Sequence, residues 1–226
     1  RSTIDEDTAF VILEPIQGES GIIVAPDGFL QEVRKVCDEK GIILIFDEIQ
    51  AGLGRTGRLW ACDHWNTAPD ILCLAKGIAG GVPMGATLVR PDILASMSKG
   101  EHSSTFGGNP LSCAAGIATL QALTQDGLIE NSEKMGKIFR EGLDKLKEKH
   151  TIIREIRGKG LMIGVELKFE VKDILMNLMK EGVLMLYSGR NILRILPPLV
   201  ISKEDITKVL QTLDAVLTIE EQKNTV

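Results

Sequence analysis

Residues 41–47 read Gly41-Ile42-Ile43-Leu44-Ile45-Phe46-Asp47, an apolar run that ends on an acid. Such a run, rich in β-branched residues, fits a parallel strand buried on both faces. Just upstream, Phe29, Leu30, Val33, Val36 and Cys37 recur at helical spacing between Pro26-Asp27-Gly28 and Lys40-Gly41, which predicts a helix with a clear start and stop. Before that helix, Thr8–Leu13 is a second apolar run that reads as a buried strand, broken by Glu14-Pro15 and followed by the loop Gln17-Gly18-Glu19-Ser20-Gly21. Strand, helix and strand in this order make a βαβ unit, and the run Ile71–Ala75 adds another strand. The fold class is therefore α/β. Ligands of such sheets gather at the carboxyl ends of the strands, which here present Glu14, Asp47 and Lys76.

Further along, Pro110–Gln125 reads as a long Ala- and Leu-rich helix, and Asp126-Gly127 breaks it. The expected division is a larger α/β domain over residues 1–125 and a smaller α+β domain over 126–226. In the latter we expect helix Glu130–Lys149, a strand through Ile156–Leu167 containing Gly158, Gly160 and Gly164, and a helix over Val171–Lys180. Strands Val183–Tyr187 and Ile192–Leu196 and a closing helix Lys203–Leu217 complete it.

Composition narrows the function. Of 226 residues, 44% are hydrophobic and 25% charged, the usage of an ordinary globular protein. A net charge of −5 with no basic block argues against a nucleic-acid partner. The apolar runs fall far short of the roughly 20 residues that span a bilayer, so no membrane span is expected. Four cysteines without a CxxC pairing fit a reducing, cytoplasmic location. The opening residues Arg1-Ser2-Thr3-Ile4-Asp5-Glu6-Asp7 carry neither an initiator Met nor a signal-peptide pattern, and the chain is expected to be a fragment.

Several residues carry chemistry, each beside a plainer reading. Asp47 at a strand end needs a cation or a donor, or simply caps the next turn. Lys76, between Ile71–Ala75 and Gly77-Ile78-Ala79-Gly80-Gly81, either snorkels to water or is a desolvated Schiff-base nucleophile. An electron-sink cofactor needs both, since an Asp can hold a pyridinium nitrogen protonated. Gly52-Leu53-Gly54-Arg55-Thr56-Gly57 matches GxGxxG and raises a nicotinamide reading. Its context is poor, because the five residues from Asp47 to Ala51 lie between Phe46 and the glycines and no helical pattern follows. His102-Ser103-Ser104-Thr105-Phe106-Gly107-Gly108-Asn109-Pro110 precedes a helix and suits a phosphate, or only a turn and cap. Arg194, inside the apolar Asn191–Pro198, needs a carboxylate partner or faces water from an edge. His64 and His150 show no ligand-like neighbours, and no metal site is expected.

Taken together, these residues resemble the class III, fold type I, pyridoxal-phosphate (PLP) aminotransferases, in particular the acetylornithine aminotransferase branch. The resemblance rests on Glu14-Pro15-Ile16-Gln17-Gly18-Glu19, on Phe46-Asp47-Glu48-Ile49-Gln50-Ala51-Gly52-Leu53-Gly54-Arg55-Thr56-Gly57, on Pro69-Asp70-Ile71 through Ala75-Lys76-Gly77, and on Ser104-Thr105-Phe106-Gly107-Gly108-Asn109-Pro110-Leu111, in the family's order and spacing. It runs from about Phe10 to Lys208 and assigns the GxGxxG loop to a family motif. It implies that Lys76 attaches the cofactor and shuttles a proton, that Asp47 binds the pyridine nitrogen, and that Gln50 lies near the phenolic oxygen. Thr105 would contact the phosphate of a neighbouring subunit's cofactor, which implies a homodimer. Arg194 would anchor a substrate α-carboxylate, with Glu19 masking it for one substrate and releasing it for glutamate or 2-oxoglutarate. The implied reaction moves an amino group from an N-acetylornithine-like donor, or a carrier-protein-linked lysine or ornithine precursor, to 2-oxoglutarate in arginine or lysine biosynthesis. Ornithine and 4-aminobutyrate aminotransferases share most of the motifs. The family's N-terminal phosphate loop and stacking aromatic have no counterpart upstream of Phe10, so a C-terminal part of such an enzyme, inactive without its N-terminal part, is also expected.

Overall fold

The computed structural model of the chain describes residues 3–224. In chain order its elements are β1 (Phe10–Leu13), β2 (Ile16–Gln17), β3 (Ile23–Val24), α1 (Phe29–Lys40), β4 (Ile43–Asp47), β5 (Ile71–Leu74), β6 (Ala86–Val89), α2 (Pro91–Leu94) and α3 (Pro110–Gln125). Then follow α4 (Leu128–Lys149), β7 (Ile153–Lys159), β8 (Met162–Leu167), α5 (Lys172–Lys180), β9 (Leu186–Ser188), β10 (Ile192–Ile195) and α6 (Lys203–Asn224), with short 3-10 turns at Ala61–Trp65 and Lys76–Ala79. The chain forms two compact units. One comprises the residues up to Pro15, Ala25–Leu53 and Arg58–Gly127; the other comprises Ile16–Val24, Gly54–Gly57 and the residues from Leu128 onward. Two early stretches thus belong to the later unit, one of them the β2–β3 hairpin.

In the first unit the sheet order is β1-β4-β5-β6. β1, β4 and β5 run parallel, and β6 returns antiparallel beside β5. Burial along β4 alternates rather than being uniform: Leu44 and Phe46 are fully enclosed, whereas Ile43 and Ile45 are half-buried. On the edge strand β1, which the sequence reads as buried, Phe10 and Ile12 are exposed. α3 begins at Pro110, with the Asn109 side chain accepting a hydrogen bond from the Ser112 N–H.

Asp70 ties this unit together. Its buried carboxylate accepts hydrogen bonds from the Leu44 N–H (2.8 Å), Arg34 Nη1 (2.8 Å) and Arg90 Nη1 (2.7 Å). Burial alone would raise its pKa, but the Leu44 N–H and the two guanidinium groups outweigh it and hold the carboxyl below the usual range.

The second unit packs one face of an antiparallel sheet, ordered β7-β8-β10-β9, against α4, α5 and α6. Strand alternation sends Ile156, Ile163, Val165, Leu193 and Ile195 into that core, where they meet Phe139, Leu143, Leu178 and Leu213. The same alternation puts Arg157, Gly164, Glu166, Ile192 and Arg194 on the opposite face. Residues 156–167 are a hairpin rather than one strand: Gly160, at φ 52°, reverses the chain, and a Cβ there would lie 2.3 Å from the Thr56 carbonyl carbon.

His150 departs from the sequence reading. Buried, it lies between two carboxylates, with Nε2 2.6 Å from Asp214 Oδ1 and Nδ1 2.9 Å from Glu221 Oε2. Both acids come from α6, more than 60 residues away. These contacts also extend α6 beyond Leu217, because Glu221 further accepts the Ile152 N–H. Among the described residues no group of three or more His, Cys, Asp or Glu side chains could hold a metal ion.

The depressed Asp70 carboxyl fixes a sign. Its stabilisation is complete above the unfolded carboxyl value of about 4 and is lost as pH falls through the native value. Asp70→Asn should cost about 1.5–3 kcal/mol in urea denaturation at pH 7. The gap from wild type should shrink at pH 3, and an equal gap at both pH values would refute the ionic role.

Candidate active site

Parallel pairing of β1, β4 and β5 puts their carboxyl ends on one edge, which brings Glu14, Asp47 and Lys76 to the same side of the sheet. Asp47 is the last residue of β4 and pairs in register with Cys73, three residues before Lys76. The Asp47 carboxylate is half-buried and accepts the Ile49 N–H through Oδ1 at 2.9 Å. Among the described residues neither Asp47 nor Lys76 makes an ion pair. Lys76 takes φ 48°, the left-handed region, as it leaves β5 for a 3-10 turn. Its side chain is exposed, the water-facing one of the two settings that the sequence allows. Gln50 is half-buried in the turn after β4, and Thr105 is exposed in the loop before α3. No α-helix begins directly at Gly57; the next helical turn is the five-residue 3-10 segment Ala61–Trp65, so the dinucleotide reading is set aside.

Sequence reasoning missed Glu48. Alternation turns it to the face opposite Asp47, where it is fully buried. Its carboxylate accepts the Ala61 N–H (2.8 Å) and the Cys62 N–H (2.7 Å). Its own N–H donates to the Cys73 carbonyl (3.0 Å), and its carbonyl accepts the Gly52 N–H (2.9 Å). Glu48 thereby fixes the turn that carries Asp47 and Gln50. Burial raises its pKa despite the two backbone donors, and burial with the Glu48 charge pushes the Cys62 thiol far above its ordinary value. The available signal was the acidic pair itself, since two adjacent acids at a strand end face opposite ways.

In the second unit the structure brings Glu19 and Arg194 together. Arg194 Nη1 donates to Glu19 Oε1, with the arginine side chain 11% exposed. Arg194 sits on β10 beside Gly164 of β8, and the Glu19 carbonyl accepts the Ser188 hydroxyl.

A family model for class-III aminotransferases matches residues 1–217. The chain belongs to the class-III aminotransferase family. It is 47% identical over 215 residues to an acetylornithine aminotransferase of Caldanaerobacter subterraneus subsp. tengcongensis, covering 95% of this chain and 54% of that protein. Among solved structures it resembles an acetylornithine aminotransferase from Elizabethkingia anophelis, with TM-score 0.87, 37% identity, and 92% and 53% of the two chains covered. It also resembles an ornithine aminotransferase from Toxoplasma gondii, with TM-score 0.91, 38% identity, and coverage of 95% and 52%. That structure is described as holding PLP at partial occupancy in its active site. The chain spans about half the length of the curated relatives it matches.

Class-III aminotransferases depend on PLP, and the donor set here fits that group. A half-buried carboxylate without a cation suits a protonated ring nitrogen, and an amine without an anion suits an aldehyde. Both stand at one sheet edge.

Glu48→Ala would leave two buried backbone N–H groups unsatisfied. A loss of about 2–5 kcal/mol is expected in urea denaturation; a loss under about 0.5 kcal/mol would show that the turn does not depend on this carboxylate.

Proposed function

We propose that the protein containing this chain transfers an amino group from an N-acetylornithine-like donor to 2-oxoglutarate. The observation that carries this reading is the placement of Asp47 and Lys76 at the carboxyl ends of adjacent parallel strands in a class-III aminotransferase chain. When bound, PLP supplies an electron sink for the carbon that bears the amino group. Asp47 would accept a hydrogen bond from the ring nitrogen and keep it protonated. Lys76 Nζ would hold the group and serve as the base that moves a proton at the amino-bearing carbon. Gln50 would lie near the phenolic oxygen, and Thr105 would reach the phosphate held by a second copy of the protein in a homodimer. The exposed Phe106, Leu111 and Ile117, close to Thr105 in the chain, support that dimer. Arg194 binds the carboxylate of 2-oxoglutarate, and Glu19 occupies Arg194 while the donor reacts. Residues 1–125 are the C-terminal part of a large PLP-binding domain, except that Ile16–Val24 and Gly54–Gly57 go with the small α+β domain of residues 126–226.

Ornithine is a second donor to weigh, because the Toxoplasma gondii neighbour is an ornithine aminotransferase. A donor panel of N-acetylornithine, ornithine, 4-aminobutyrate and carrier-linked lysine or ornithine precursors separates the readings and tests arginine against lysine biosynthesis. Four free cysteines support a cytoplasmic location.

In the full-length protein, Lys76→Ala should lower turnover by about 10²–10⁴-fold or more while leaving the fold intact by circular dichroism. Substantial residual transamination would sink the assignment. Arg194→Ala should raise KM for 2-oxoglutarate by about 10–100-fold; an unchanged KM would remove Arg194 from the site.

A further inference from the structure

We propose that Gly164 is a positioning residue for substrate selection: its missing side chain forms the notch that seats Ile22 and so holds Glu19 against Arg194. The inference rests on the reading of Glu19 and Arg194 given above. Arg157, Gly164 and Arg194 lie side by side across β7, β8 and β10, because Gly164 pairs in register with both arginines. Directly paired residues share a face, so this row is two arginines flanking a gap, on the face away from the apolar core.

The loop between β2 and β3 lies over that gap. A Cβ built on Gly164 would stand 3.1 Å from Ile22 Cβ and 3.2 Å from both Ile22 Cγ1 and the Gly21 carbonyl oxygen. Ile22 is completely buried there. On one side of the gap, Arg157 Nε donates to the Gly21 carbonyl at 2.7 Å, while Arg157 Nη1 is fixed by Glu166 at 2.7 Å and Glu155 at 2.9 Å. On the other side, Arg194 holds the Glu19 carboxylate and the Ser188 hydroxyl holds the Glu19 carbonyl. The loop is thus fastened at both ends and seated in the middle.

The seat is a strained one. Ile22 takes φ 55°, a region that a β-branched residue enters only when its surroundings force it. Gly21, at φ 108°, approaches β10 so closely that a Cβ would fall 2.5 Å from Ile192 Cδ1. A loop held by a few contacts against backbone strain is suited to being displaced when a substrate carboxylate competes for Arg194. Gly164 acts through Ile22 and touches no substrate.

The test uses the full-length protein and two variants. Gly164→Ala crowds the notch, and Ser188→Ala removes one fastening without adding bulk. Hydrogen exchange of the peptide covering residues 16–24 is measured in the resting protein, and the two half-reactions are measured separately. Exchange of that peptide should quicken by about tenfold, the scale of one weakened charge-assisted hydrogen bond, with the α4 and α6 peptides unchanged. The kcat/KM for the amino donor should fall about tenfold relative to that for 2-oxoglutarate. Equal losses in both half-reactions, or unchanged exchange in a folded variant, would overturn the proposal. A wild-type protein that transaminates no donor would defeat the aminotransferase reading instead, and the exchange measurement would still decide whether the notch holds the loop.

Discussion

Parallel pairing of β4 with β1 on one side and β5 on the other is the constraint on which the first unit depends. Strands that run the same way end on the same edge, so residues far apart in the chain, Glu14, Asp47 and Lys76, arrive at one edge. Everything nearby maintains that edge. Asp70 fastens α1 and β4 to the start of β5 through Arg34 and the Leu44 N–H, and Glu48 fastens the end of β4 to the 3-10 turn at Ala61 and Cys62. Both are buried carboxylates satisfied by backbone N–H groups, the arrangement in which removing the acid is most damaging. They tie strand ends in place, and among the described residues Asp47 and Lys76 make no ion pair.

The second unit meets a different demand with the same strand alternation. One face of its sheet is apolar and closes over α4, α5 and α6; the other carries Arg157, Glu166, Ser188 and Arg194 and receives the loop that holds Glu19. A guanidinium in an otherwise apolar strand is tolerated because alternation turns it out of the core and Glu19 neutralises it. Gly164 completes the face by leaving room for a buried aliphatic side chain between two charges.

Much of this was legible in the sequence, and the reasons are local. The apolar run ending at Asp47, the helical spacing from Phe29 to Cys37 and the Pro110 start of α3 are short-range signals, and each element appears where its signal stands. The motifs from Glu14 to Leu111 likewise pointed to the class-III aminotransferase family. What escaped depends on partners distant in the chain. The setting of His150 is decided by Asp214 and Glu221 in α6, and the alternating burial of β4 depends on what covers each face. The 156–167 stretch divides at Arg157-Gly158-Lys159-Gly160 into a hairpin whose turn is set by the close approach of Gly160 to Thr56, a partner distant in the chain. The notch at Gly164 is a property of three strands at once, which no single segment displays.

Lys76, brought to the sheet edge by β5, is the residue we propose to engage PLP. The most direct measurement is borohydride reduction of the full-length protein after incubation with PLP, followed by intact mass and peptide mapping. One phosphopyridoxyl group per chain is expected, on the peptide that contains Lys76. A label on a different lysine, or none, would contradict it.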